Sequence, residues 1–219
     1  MLAGPRAMTD DADATDDRAL LAAWQRGDRA LGNRLFLRHI RGVSRFFRTK
    51  VPDAAEDLTQ ATFLALVERD LTASVEGSFR GYLYGVARNQ LLMHLRAKGR
   101  AAQRFDPLTH SAPDAGASPV RVVAAHEQQR ALAAALQRVP VDYQIALELH
   151  YYEALPVADI AAALGRPVGT IKSLLSRGRD LVRAELEALG GAAALIASTG
   201  GELDRWMRTL PDVVGGAAS

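Results

Sequence analysis

The sequence predicts an all-α protein of two small helical domains joined by a flexible linker. Apolar residues recur at three- and four-residue spacing through almost every long segment, and no alternating pattern lasts long enough for a strand. From Phe105 to Pro119 that periodicity disappears, and Pro107, Ser111, Pro113, Gly116, Ser118 and Pro119 cluster. The 219 residues suffice for one large domain or two small ones. The division that follows is an acidic start over 1–15, expected to be disordered, a first domain over 16–100, a linker over 101–120, a second domain over 121–189 and an extension over 190–219.

Asp16 or Asp17 can cap a first helix to about Gln25, with Leu20, Leu21 and Trp24 as its apolar face, and Gly27 ends it. Asp28 caps a second helix to about Lys50 that turns Leu31, Leu35, Phe36, Ile40, Val43 and Phe47 inward, until Val51-Pro52 stops it. Asp53 and Glu56 make a capping-box pattern for a third helix to about Arg69, with Leu58, Phe63, Leu66 and Val67 buried. Residues 70–77 form a loop, and Ser78 caps a fourth helix to about Lys98 whose core face is Phe79, Leu83, Val86 and Met93. Beyond the linker, helices are expected at about 121–137, 141–153, 157–163 and 168–188, closed by Gly190-Gly191. In the extension Leu203, Trp206, Met207 and Leu210 lie at i, i+3, i+4 and i+7, a stripe that either completes the second core or docks on a partner.

Composition excludes several chemistries. With no cysteine there are no disulfides, no Cys-containing zinc sites and no thiol nucleophiles. His39, His94, His110, His126 and His150 are scattered without metal-binding spacing, and His150, near Glu148 and Glu153, reads as a surface histidine. No phosphate-cradling glycine loop or nucleophile motif appears, so neither an enzyme, a metal nor a cofactor is predicted. No apolar run approaches the ~18 residues needed to cross a bilayer. The start, with Asp10, Asp11, Asp13, Asp16 and Asp17, lacks the apolar core of a secretory signal, and the chain is expected to be cytoplasmic.

Net charge is only +2, but its distribution is informative. Arg88, Arg96, Lys98, Arg100 and Arg104 follow one another with no intervening acid, as do Arg166, Lys172, Arg177 and Arg179. Two separated basic segments fit a polyanion touched at two places. Two solvated helix faces are the ordinary alternative.

The clearest pattern is Leu155 to Arg179. Val157, Ile160, Ala161 and Leu164 make one apolar face, Gly165 permits a sharp turn, and Val168, Ile171, Leu175 and Leu174 point inward from a second helix after Pro167. Two short helices about a glycine-containing turn is the geometry that sets one helix into the DNA major groove. Its outward residues are Thr170, Lys172, Ser173, Ser176 and Arg177: short hydroxyls that approach a groove wall and cations that pair with guanine or phosphate.

The fourth helix places Arg80, Tyr84 and Arg88 at i, i+4 and i+8 on one face, with Tyr82 and Asn89 between it and the core face. Cations that track phosphates beside rings that stack on unpaired bases suit single-stranded nucleic acid. Both tyrosines could instead simply cover the edge of the core. The third helix, with Asp53, Glu56, Asp57 and Gln60, presents a polar, partly acidic face suited to a protein partner. Acids favoured by the helix dipole in a first turn would explain the same residues.

Asp57-Leu58-Thr59-Gln60-Ala61-Thr62-Phe63-Leu64, Phe79-Arg80-Gly81-Tyr82-Leu83, Ala87-Arg88-Asn89 and His94-Leu95-Arg96 occur in the first block. Leu136 to Pro140, Ala158-Asp159-Ile160-Ala161, Gly169-Thr170-Ile171-Lys172-Ser173 and Ser176-Arg177-Gly178-Arg179 occur in the second. On these motifs the chain resembles the bacterial RNA polymerase sigma factors of the extracytoplasmic-function type, in the sigma-70 superfamily, over about 16–100 and 124–188. The resemblance implies that the first block is sigma region 2. Glu56, Asp57, Gln60, Phe63 and Leu64 would meet the polymerase clamp, and Arg80, Tyr82, Tyr84, Arg88, Asn89 and Arg96, with the 70–77 loop, would hold the melted −10 strand. The second block would be region 4, reading the −35 element through Arg166, Thr170, Lys172, Ser173, Ser176, Arg177 and Arg179. Implied partners are core RNA polymerase (the clamp of the largest subunit and the flap of the second largest), promoter DNA and an anti-sigma factor, with no membrane insertion. The chain departs from the family's usual residues at Tyr82, where Trp is frequent, at Ala61 and Met93, where acids are, and at Leu174, where Arg is. A stand-alone helix-turn-helix regulator with a helical sensing domain is the competing expectation.

Overall fold

A computed structural model describes residues 6–68, 78–98, 105–113, 127–190, 203–205 and 207–208, with 6–15 and 127–128 as backbone only. The helices are α1 (Arg6–Gln25), α2 (Arg29–Arg48), α3 (Ala55–Glu68), α4 (Phe79–Lys98), α5 (Glu127–Arg138), α6 (Val141–Tyr151), α7 (Val157–Leu164) and α8 (Val168–Ala188). No strand occurs among the described residues. None of these helices is long and apolar enough to cross a membrane. The expected loop 70–77, most of the linker, the expected helix start 121–126, Trp206 and Leu210 lie outside the described residues.

Local chemistry sets most boundaries. Asp28 caps α2 by accepting from the Ala30 and Leu31 N–H groups, each at 3.1 Å. Ser78 caps α4 by accepting from Gly81 N–H at 3.0 Å. The α2–α3 junction is tighter than the capping box implies: Pro52–Ala54 form a single 3₁₀ turn and α3 starts at Ala55, leaving Asp53 in that turn. α1 continues back to Arg6, because no glycine or proline interrupts the chain between Arg6 and Asp17.

The α7–α8 turn depends on Gly165, which takes the left-handed conformation (φ 62°) and donates its N–H to the Ala161 and Ala162 carbonyls. No atom lies within 4 Å of where a β-carbon would sit. Gly165→Ala therefore meets only the backbone cost of that conformation. We expect it to lower stability by about 1–2 kcal/mol, read as a denaturation midpoint; an unchanged midpoint would mean the turn relaxes.

Four apolar residues expected inside are exposed: Ile40, Val67, Met93 and, at the start of α8, Val168. On α3 the buried stripe is instead Ala55, Thr59, Thr62 and Leu66. The two threonine hydroxyls tolerate burial because they donate to the Ala55 and Leu58 carbonyls at 2.6 and 2.7 Å. This rotates Asp57, Gln60, Leu64 and Val67 to the outside.

The two helical blocks do not stand apart. One continuous core runs from Leu20 and Phe47 through α4 to Ile160 and Val182. Within it α4 packs along α7 because both helices present small residues where they cross. A β-carbon on Gly81 would lie 3.1 Å from the Asp159 carbonyl oxygen, and one on Gly85 would lie 3.5 Å from Ala163 Cα. Part of the expected linker is also fixed. Residues 105–113 cross the start of α6, where the His110 and Pro107 carbonyls accept from Val141 N–H (3.0 Å) and Asp142 N–H (2.8 Å). They satisfy two N-terminal donors that Pro140, with no side-chain acceptor, leaves open.

Candidate nucleic-acid and protein interfaces

The expected groove helix has the buried face its spacing suggests, except at Val168. Ile171, Leu174, Leu175, Gly178 and Val182 anchor α8 inward. Gly178 lets the helix sit against Leu147, whose side chain would come within 3.1 Å of a β-carbon there. Lys172, Ser173, Ser176 and Arg177 then face solvent together, and Thr170 is half-buried beside them. Ser173 Oγ rests on the Gly169 carbonyl at 3.2 Å. Leu174, where an outward cation is usual in the resembled family, is buried in the core.

The two remaining cations of this set are engaged. Arg166 Nη2 donates to Asp142 Oδ2 at 3.0 Å, and Arg179 Nη1 donates to the Tyr151 hydroxyl at 3.3 Å.

The basic-aromatic stripe of α4 is assembled, but the second block covers it. Tyr84 is 1% exposed. Burial, then the neighbouring Glu153 carboxylate, pushes its hydroxyl pKa well up. Arg88 grips Asp142 Oδ1 through Nε (3.1 Å) and Nη2 (2.7 Å). Arg80 donates to the Glu153 carbonyl. Tyr82 stays half-buried, while Asn89 and Arg96 are exposed.

Four acids carry this closure, and their role could not be read from the sequence. Asp142, fully buried, takes Arg88 from the first block and Arg166 from the second. Glu148 pairs with the buried Lys50 and accepts from Thr49 Oγ1 (3.0 Å) and Gln144 Nε2 (2.8 Å). Glu153 pairs with Arg45. Asp159 accepts from Ser78 Oγ at 2.5 Å. For Asp142 and Glu148 the signal available was polar residues on a helix that also carries Val141, Ile145, Leu147 and Leu149, all buried. His150, expected at the surface, is half-buried, and burial lowers its pKa.

The outward face of α3 carries Glu56, Asp57, Gln60 and Leu64, with Phe63 half-buried against Phe36 at 5.1 Å between ring centroids. Leu64 and Val67 are 55% and 56% exposed, and on the adjoining α2 Leu37 is 61% exposed. Apolar side chains exposed to this extent beside acids mark a protein-docking face more than a DNA face.

Comparison with known proteins matches these two blocks separately. The family model described as Sigma-70 region 2 covers residues 35–111, and that described as Sigma-70, region 4 covers 129–182. The chain is 28% identical over 184 residues to the RNA polymerase sigma-H factor of Pseudomonas aeruginosa, covering 79% of this chain and 95% of that protein. It is 30% identical over 172 residues to the ECF RNA polymerase sigma factor SigE of Mycolicibacterium smegmatis, covering 78% of this chain and 64% of that protein. In fold it is similar to the sigma factor RpoE of Bartonella quintana, solved in complex with the anti-sigma factor NepR (TM-score 0.53, 24% identity, 73% of this chain and 97% of that one). With both sigma regions in order on one chain and relatives of this kind along most of its length, the protein belongs to the ECF-type sigma factors of the sigma-70 family, transcription initiation factors without enzymatic activity.

Proposed function

We propose that the chain is a dissociable, cytoplasmic promoter-specificity subunit of RNA polymerase, with region 4 over 121–189 reading the −35 duplex and region 2 over 16–100 docking on the clamp and holding the melted −10 strand. The observation that carries this is the exposed set Lys172, Ser173, Ser176 and Arg177 on a helix braced by α7 across the Gly165 turn. Short hydroxyls and cations on such a helix can reach base edges and phosphates. The α3 face of Glu56, Asp57, Gln60 and Leu64, with Val67 exposed on the same helix, supplies a partly apolar, partly acidic surface for the clamp.

The arrangement described above is then a closed, resting one. Tyr84 and Arg88 can meet a single strand only after α4 leaves α6 and α7, so separation of the blocks must accompany holoenzyme assembly. Duplex opening costs on average ~1.4 kcal/mol per stacked step, too much for a few captured bases alone. The free chain therefore binds promoter DNA weakly and the holoenzyme binds it strongly. The relative solved with an anti-sigma factor supports a protein inhibitor of the same class as a further partner.

The test is transcription in vitro with purified core polymerase on a promoter library. Promoter-specific transcripts are expected only when the chain is added. Arg177→Ala should reduce −35-dependent initiation about 5- to 150-fold, the equivalent of losing one base contact worth ~1–3 kcal/mol. Specific transcripts without the chain would defeat the proposal. Core enzyme that ignores the chain would leave the stand-alone regulator.

A further inference from the structure

The C-terminal stretch returns to the second block. Leu203 and Met207, four residues apart, are both buried. Asp204, between them, accepts a hydrogen bond from the Tyr151 hydroxyl at the end of α6. The Arg208 guanidinium carbon lies 5.6 Å from the Tyr151 ring centroid. The same hydroxyl accepts from Arg179 Nη1 at 3.3 Å, so a carboxylate, a phenol and a guanidinium form one chain of contacts. Arg179 belongs to the stripe Lys172, Ser176, Arg179 and Arg183, spaced by four, three and four along α8, at the border of the face proposed to meet DNA. The hydrogen bond to Tyr151 and the nearby Asp204 charge both favour the bound, charged guanidinium.

We propose that the segment carrying Leu203, Asp204, Met207 and Arg208 forms a latch on the DNA-reading helix: docked, it withholds Arg179 from duplex DNA, and duplex binding displaces it. The inference rests on the assignment of α8 to duplex DNA. Asp204 acts on Arg179 through the Tyr151 hydroxyl they share and through its charge. A phosphate brought to Arg179 would compete with the Tyr151–Asp204 pair for the guanidinium and meet the repulsion of the Asp204 charge. Coupling of this kind is reciprocal: whatever loosens the segment strengthens DNA binding, and DNA loosens the segment by the same factor.

The test uses the full chain and a fluorescent duplex of random sequence at low salt. Asp204→Asn should tighten binding about three- to tenfold and steepen the fall of log K with log salt by about 0.9, one phosphate contact. In an Arg179→Ala background both changes should vanish. Because the chain has no cysteine, Met207→Cys introduces a single thiol. It should react slowly with a maleimide in the free protein and about tenfold faster with saturating duplex. If no duplex binding appears, or Arg177→Ala leaves it unchanged, the α8 assignment fails and the latch with it. If Arg177→Ala weakens binding while Asp204→Asn alters neither affinity nor salt slope, or the thiol reacts equally fast with and without duplex, the latch alone is overturned.

Discussion

Lys50→Met should spring the two blocks apart. The Lys50 ammonium is fully buried, donates to the Phe46 carbonyl at 2.9 Å and Thr49 Oγ1 at 3.0 Å, pairs with Glu148 and sits 4.0 Å from the Phe46 ring centroid. Burial pulls its pKa down, and the Glu148 carboxylate only partly restores it. Such a pair is weak evidence for net stability, yet removing one partner strands the other as an uncompensated buried charge, at about 3–5 kcal/mol. Lys50 lies in the turn just after α2 and Glu148 on α6. Once the blocks separate, water reaches both, so the whole cost falls on the closed form. Small-angle scattering should show the radius of gyration rising in Lys50→Met. It should return most of the way in Lys50→Met/Glu148→Gln, where no orphan charge remains and the amide still meets Thr49 and Gln144. A Lys50→Met profile superimposable on the parent would show that this pair does not hold the blocks together.

Gly85→Leu should open the same interface by shape instead of charge. Gly85 faces the α7 backbone, with Ala163 Cα and its carbonyl oxygen both 3.5 Å from the β-carbon position. A β-carbon alone would fit there, but the three further carbons of leucine have nowhere to go, because what they meet is main chain. Overpacking of this kind costs about 1–3 kcal/mol. The substitution costs the first block nothing once α4 is solvated, and leucine favours helix over glycine by up to about 1 kcal/mol. If closure masks Tyr84 and Arg88, apparent single-strand affinity is reduced by the fraction of molecules open. Gly85→Leu should then raise binding of the free chain to a labelled oligothymidine about 5- to 150-fold, measured by anisotropy. Adding Tyr84→Ala should remove much of that gain. Opening with no gain in single-strand binding would count against the α4 stripe as a strand-holding surface.

Most of the helical architecture was legible because its determinants are local. The Asp28 and Ser78 caps, the Pro52 stop, the Gly165 turn and the apolar stripe of α8 each involve residues within about one turn of one another. Where the apolar pattern offered more candidates than a face can hold, local reasoning failed. It favoured Val67 over Thr59 and Thr62 on α3, since a threonine's ability to satisfy its hydroxyl on its own helix does not show in a hydropathy pattern. It placed Ile40 and Met93 inside because amphipathic spacing says which residues share a face, not how wide the covered face is.

The residues that share each face (Lys172 with Ser176, Arg80 with Tyr84 and Arg88) were determined by the sequence alone, because helical geometry converts spacing directly into direction. Which of those faces meets water was decided only in three dimensions. Asp142 lies 54 positions from Arg88 and Glu148 lies 98 from Lys50. Glycine and alanine on two distant helices had to meet before α4 and α7 could approach. Burial of a charge depends on a partner that spacing within one helix cannot supply. Thus α8 was read with its buried and exposed faces in place apart from Val168, while the basic-aromatic stripe was read without the domain that lies over it.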